Sequence, residues 1–487
     1  MARDTSLVAV CTSTTTLVFM KTFASIRKFV STNVAMTAFF VCYGLTVLLG
    51  NLIYATPFGV GLLTAAGYPT SFLQFPTTFT FGYWALLLLP LVAMPVIVAL
   101  SSPILLRPIG GFFRLVPRFS ILDFVVISLV TYGVIIFAFY RSEAVGLFLG
   151  GASAADAIEA RFAMQARLLF PEKVAIHSIM PFLAYYAFVV FLRDRGKFWA
   201  VASAMSCVAA FVVLVFLNMK WPVLLFSIGI VASLMMFSQR RFLLMKLLGG
   251  SLAMVAIYLL VSAVVFRLAA EPEARPAVSV EQGSTSELGF ESASDVAEKV
   301  QQVAGSALWN TPFLTAHAIN RMAISYPYYY EIFTERGPVC GTLIQQYLPG
   351  KKPCHPSYLV YTAIFGADGY EDRGTAPAAP HITAYAFAGW FGAALGLAGM
   401  GLLLALFTVG QRSSGPMADT WAVLGVVMGY HLSQVPGDEV ILYTTGLIWP
   451  VLLILAYSGL RKLKGLFQNG VTQWRRSRNY RDGSVPE

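Results

Sequence analysis

Residues 317–381 hold Arg321, Arg336, Lys351, Lys352 and Arg373, interleaved with Tyr326, Tyr328, Tyr329, Tyr330, Tyr347, Tyr358, Tyr361 and Tyr370. That mixture has a chemical use. Fixed cations bind phosphate or diphosphate, Arg through a bidentate fork and Lys as a point charge. Tyrosines such as Tyr328 and Tyr329 offer flat apolar faces to sugar rings and hydroxyls to sugar OH groups. The same stretch carries His317, His355 and His381, and the carboxylates Asp368, Glu371 and Asp372. Any of His381, His355, Glu371 or Asp372 is a candidate general base for a hydroxyl acceptor. No HExxH, HxH or CxxC pattern occurs, so no metal site is expected. No cofactor is expected either.

Cys340 and Cys354 share this stretch, and Cys42 and Cys207 lie in apolar runs while Cys11 lies near the N-terminus. In an oxidising compartment the first two are expected to pair, which stabilises a loop of this size by about 3 kcal/mol in the chain-entropy picture. The bond would hold Lys351 and Lys352 in place.

The elements that must position these groups are membrane spans. The chain has 487 residues, of which 57% are hydrophobic and 12% charged. Soluble domains carry about 25% charge. The expected fold is an all-α polytopic membrane protein with about ten transmembrane helices. The spans read as Val34–Tyr54, Phe79–Leu100, Ile121–Tyr140, Val174–Leu192, Phe198–Leu217, Trp221–Phe237, Phe242–Phe266, Ile382–Val409, Trp421–Gln434 and Val440–Leu460. Seven precede one large outer loop, 267–380, and three follow it. Residues 267–316 are acidic and rich in Ser, Pro and Gly. Residues 317–380 are the cationic, tyrosine-rich half. Residues 1–33 are expected to be a cytoplasmic or interfacial segment, or an over-long start ahead of Met20.

The distribution of Lys and Arg gives the orientation. Arg107, Arg114, Arg118, Arg193, Arg195, Lys197, Arg240, Arg241 and Arg412 fall between spans on one side, with the basic tail 461–487. Both termini are therefore expected in the cytoplasm, and the net charge of +10 reflects orientation and contact with membrane lipids, with no nucleic-acid partner. In this arrangement His177, His317, His355, His381 and His431 all fall outside. Arg141, Arg161, Arg167 and Lys173, after the third span, also fall outside. Lys220 stands against the positive-inside bias in a short outer turn before an apolar run, and is a candidate ligand for a lipid phosphate.

The run "GTAPAAPHITAYAFAGWFGAALGLAGMGLLLAL", with "NMKWPVLLFSIGIVASL" earlier in the chain, resembles the Wzy-type polymerases of bacterial O-antigen and exopolysaccharide repeat units, a family related to the O-antigen ligases. The layout agrees: many spans, cytoplasmic ends and one large outer loop before a late span. The family's basic residue in the short turn is often Arg, where this chain has Lys220. The resemblance implies an enzyme of the inner membrane that joins polyprenyl-diphosphate-linked oligosaccharides at the periplasmic face, as part of lipopolysaccharide or other surface polysaccharide synthesis. It implies a metal-independent glycosyltransferase whose partners include a flippase and a chain-length regulator of the same pathway. On that reading Arg321, Arg336, Arg373 and Lys220 neutralise the diphosphate. Transfer of the ligase type, and a flippase or transporter of lipid-linked oligosaccharide, remain open. A transferase using a monophosphate sugar donor is disfavoured, because the first outer loop lacks Asp and Glu.

Overall fold

The computed structural model describes residues 32–65, 69–116, 118–142, 163–164, 166–217, 220–237, 322–337, 355–366, 374–411, 415–435 and 449–462. The regular structure among them is helical. In chain order the helices are α1 (Val34–Tyr54), α2 (Pro57–Ala65), α3 (Phe81–Leu115), α4 (Ile121–Arg141), α5 (Phe170–Asp194), α6 (Lys197–Phe216) and α7 (Lys220–Phe237). Next come α8 (Ser325–Glu335), α9 (Pro356–Phe365), α10 (Pro380–Gln411), α11 (Pro416–Gln434) and α12 (449–462). Six are long and apolar enough to cross a membrane: α1, Phe81–Phe113 of α3, α4, α5, α6 and α10. The protein is a helical membrane protein.

Apolar residues point both ways in these helices, because lipid is as apolar as the core. On α4, Leu122, Leu129 and Ile136 recur every seven residues and are 68–71% exposed, forming one stripe for lipid. The opposite face buries Phe124, Thr131, Ile135 and Ala138. By contrast α11 is buried over most of its surface, between α1, α5, α7 and α10. It starts at Pro416, after Gly415, so the expected span from Trp421 is its later part.

α3 differs from its expected form. The run Phe79–Leu100 reads as one span, yet the helix continues to Leu115 across Pro90, Pro95, Pro103 and Pro108. At 1.5 Å per residue, its 35 residues reach about 50 Å, well past a hydrocarbon layer of about 30 Å. Arg107 and Arg114 therefore lie on this helix rather than in a loop.

Ion pairs mark one end of the bundle. Arg118 pairs with Asp194, Arg193 with Asp419, and Arg461 with Asp123 at 2.9 Å. The Tyr457 hydroxyl adds a 2.8 Å hydrogen bond to Asp123. At the other end Arg141 grips Glu172 with Nε and Nη2, at 3.2 and 2.5 Å. The start of α3 and the helix α8 also lie at this second end, where the Tyr330 hydroxyl sits against Gly82.

α10 is the largest departure from the sequence reading. Ile382–Val409 reads as a single span, but Ala388 and Gly389 break the helix, Gly389 with φ 57° and ψ −145°. Only glycine takes that conformation readily. Residues 380–387 fold back along the rest of α10. A side chain at Gly392 would collide with the Ala384 carbonyl, and one at Gly396 would come within 2.9 Å of the His381 Cα. In an unbroken helix, residues 381 and 396 stand about 22 Å apart. The segment is a helical hairpin, and its spanning part begins after Gly389.

Candidate functional site: a buried polar cluster beneath the loop helix

α8 carries the sequence SYPYYYEIFTE. Pro327 falls in its first turn, where its missing N–H costs nothing. The helix ends at Arg336, ahead of Gly337 with φ 69°. Its tyrosines point to different neighbours. Tyr328 shares a 2.6 Å hydrogen bond with Ser71 and lies edge-on to Phe75, with ring centroids 5.1 Å apart. Tyr330 stacks on Tyr385. Glu331 accepts from Thr77. Burial raises the Tyr326 and Tyr328 phenols above the ordinary tyrosine range, so both stay protonated at neutral pH.

The remaining contacts of α8 hold the run Gly374–Ala379, which carries the chain into α10. Ala376, Ala378 and Ala379 are each fully buried. Buried backbone polar groups need partners, and Pro377 and Pro380 leave this run few of its own. Side chains of α8 supply most of them. The Tyr329 hydroxyl donates to the Ala376 carbonyl at 3.2 Å, Ser325 donates to the Pro377 carbonyl, and the Ala379 N–H donates to the Tyr326 hydroxyl at 2.9 Å. From α9, the Ser357 carbonyl takes the Ala376 N–H at 3.1 Å.

His381 follows after Pro380 and is fully buried. It lies at the level of Gly396, seven residues beyond the hairpin turn, or roughly 10 Å along the helix. Its ring meets Tyr43 edge-on at 6.0 Å, and Tyr43 meets Tyr326 at 6.5 Å. The Leu86 carbonyl faces the imidazole, but neither ring nitrogen makes a hydrogen bond of proper geometry. Around it Tyr43 donates to the Leu87 carbonyl at 3.0 Å, Tyr83 donates to Asn51, and Asn51 donates to the Val47 carbonyl at 2.9 Å. Tyr326 stands near both Tyr43 and Tyr83. Four helices thus contribute an imidazole, tyrosine hydroxyls and an amide to one chain of contacts, from His381 through Tyr43 and Tyr326 to Tyr83 and Asn51. A π-helical turn, Gly44–Leu48, interrupts α1 beside Tyr43, and such turns gather at functional sites.

Comparison with protein-family models, curated proteins and solved structures finds no match for this chain.

The cluster includes His381 from the sequence candidates and adds Tyr43, Asn51, Tyr83 and Tyr326. The available signal was polar side chains inside otherwise apolar runs. His355 is half-buried just before α9, its ring 4.7 Å from Tyr358. Arg336 is exposed at the end of α8. Lys220 is the first residue of α7, at the same end of the bundle. Glu371, Asp372, Arg321, Arg373, Lys351, Lys352, Cys340 and Cys354 lie outside the described residues. Tyr328 and Tyr329 lie on α8. They are 2% and 0% exposed, and α8 packs both rings against its neighbours. Among the described residues no three His, Cys, Asp or Glu side chains gather as a metal site.

Proposed function

We propose that the protein is a membrane glycosyltransferase that polymerises polyprenyl-diphosphate-linked oligosaccharide repeat units on the outer face of the bacterial inner membrane. The supporting observation is His381. The stretch that resembles the Wzy-type polymerases is the one that folds back as a hairpin, and it carries a buried imidazole with no well-formed hydrogen bond. Native proteins seldom leave such a group idle.

In the proposed reaction an acceptor hydroxyl attacks the anomeric carbon of the donor glycan. The bond to the diphosphate breaks, and the diphosphate leaves with the electron pair. His381 takes the hydroxyl proton, with His355, Glu371 and Asp372 as the other candidates. Arg321, Arg336, Arg373 and Lys220 neutralise the leaving group, the electrostatic mode that commonly supplies the largest share of catalysis. Lys351 and Lys352 add positive charge to the outer loop. Donor and acceptor lipids, a flippase and a chain-length regulator are the partners of this reading.

The test is polymer length on a gel from cells carrying each variant, with membrane protein level measured alongside. Arg321→Ala or Arg336→Ala should lose at least about 100-fold in rate. Lys substitutions should fail too, since Lys cannot copy the bidentate fork. Full-length polymer from both Ala variants at normal expression would rule out the cationic clamp.

A second reading, transport of the lipid-linked oligosaccharide, draws on the helix break at Ala388–Gly389 and the π-helical turns in α1 and α5. Discontinuous helices are common in transporters. Transport without bond cleavage would support it.

A further inference from the structure

We infer that Tyr326 is a positioning residue for His381. It acts at two points. Its hydroxyl accepts the Ala379 N–H, two residues before His381, and its ring packs edge-on against Tyr43, which packs edge-on against the imidazole. Pro380 has no N–H, so Ala379 carries the last backbone donor before His381. At zero exposure that donor has no access to water. Removing the hydroxyl leaves a buried N–H without a partner and loosens the point from which His381 is held. Tyr329 and Ser325 secure the same run further from the histidine, at Ala376 and Pro377. α8 thereby sets where the imidazole stands. For activity, the inference rests on the reading of His381 as the base. For position, it does not.

The experiment has two readouts on the full chain in membranes. The first is carbethoxylation of His381 by diethyl pyrocarbonate, located by mass spectrometry, with half-buried His355 as the internal reference. Wild-type His381 should react slowly. Tyr326→Phe should raise its rate roughly ten- to hundredfold relative to His355, by favouring local opening. Tyr43→Phe keeps the ring against His381 and should change it little. Should Tyr326→Phe not accumulate, Tyr329→Phe carries the test, with a smaller increase expected.

The second readout is polymer length. A faster His381 with shortened polymer supports both the positioning role and the base. A faster His381 with normal polymer supports the positioning role and overturns the base. An unchanged His381 rate in Tyr326→Phe, or in Tyr329→Phe where that variant carries the test, overturns the positioning role, whatever the polymer does.

Discussion

Glu172 is only 4% exposed, yet it accepts two contacts from Arg141 and a third, at 2.7 Å, from the Leu169 N–H. It ties α4 to the start of α5 at the loop end of the bundle. Glu172→Ala leaves Arg141 with the Arg167 carbonyl alone and the Leu169 N–H without its acceptor, and should cost about 1–3 kcal/mol. Thermal unfolding in detergent would register the loss, and Glu172→Gln, which keeps an acceptor, should lose less. At this scale the sequence was informative about residue type and silent about direction. His381 and the tyrosines of 317–381 stand out as chemically capable groups. Four tyrosines within five residues offer no periodic stripe, so nothing in the sequence told which rings would face a ligand. Burial of Tyr328 and Tyr329 is set by what α8 packs against: the Ser71–Phe75 turn, the Gly374–Ala379 run and the start of α3. Those contacts join residues between 47 and 257 positions apart.

The hairpin in α10 is an element that hydropathy could not reveal. Residues 380–387 carry no charge and run straight into the apolar span after them, so a window of mean hydropathy reads both as one run. The reversal depends on one backbone conformation at Gly389, and the seam on small residues at Gly392 and Gly396. Gly396→Leu should therefore destabilise the protein by at least about 1–3 kcal/mol, since the clash is with backbone that must shift. Gly399→Leu is the matched control, because open space lies there. Equal detergent unfolding temperatures for the two variants would contradict the hairpin. The single-span helices were legible because length and apolarity alone define them. Val34–Tyr54 agrees at both ends and Ile121–Tyr140 within one residue of Ile121–Arg141. α3 overran its reading because its apolar run ends before its hydrogen bonding does.

At the scale of the molecule, cations among the described residues lie at both ends of the bundle. Arg118, Arg193 and Arg461 lie at one, and Arg141, Lys173 and Lys220 at the other. The Lys and Arg pattern of the sequence assigns the first end to the cytoplasm as an expectation. The pattern further predicts that Ser477→Cys is shielded from an impermeant thiol reagent on intact cells and that Ser286→Cys is labelled. The reverse labelling would overturn the orientation. The loop cations Arg321, Lys351, Lys352 and Arg373 lie outside the described residues, so their role rests on chemistry and resemblance. The most direct measurement is therefore of the reaction itself. Purified protein in proteoliposomes is given a polyprenyl-diphosphate oligosaccharide, and both glycan length and free polyprenyl diphosphate are followed. The account predicts a ladder of repeat units with one diphosphate released per bond formed, and its loss in His381→Ala. Intact lipid-linked oligosaccharide crossing the bilayer, with no diphosphate released, would contradict it.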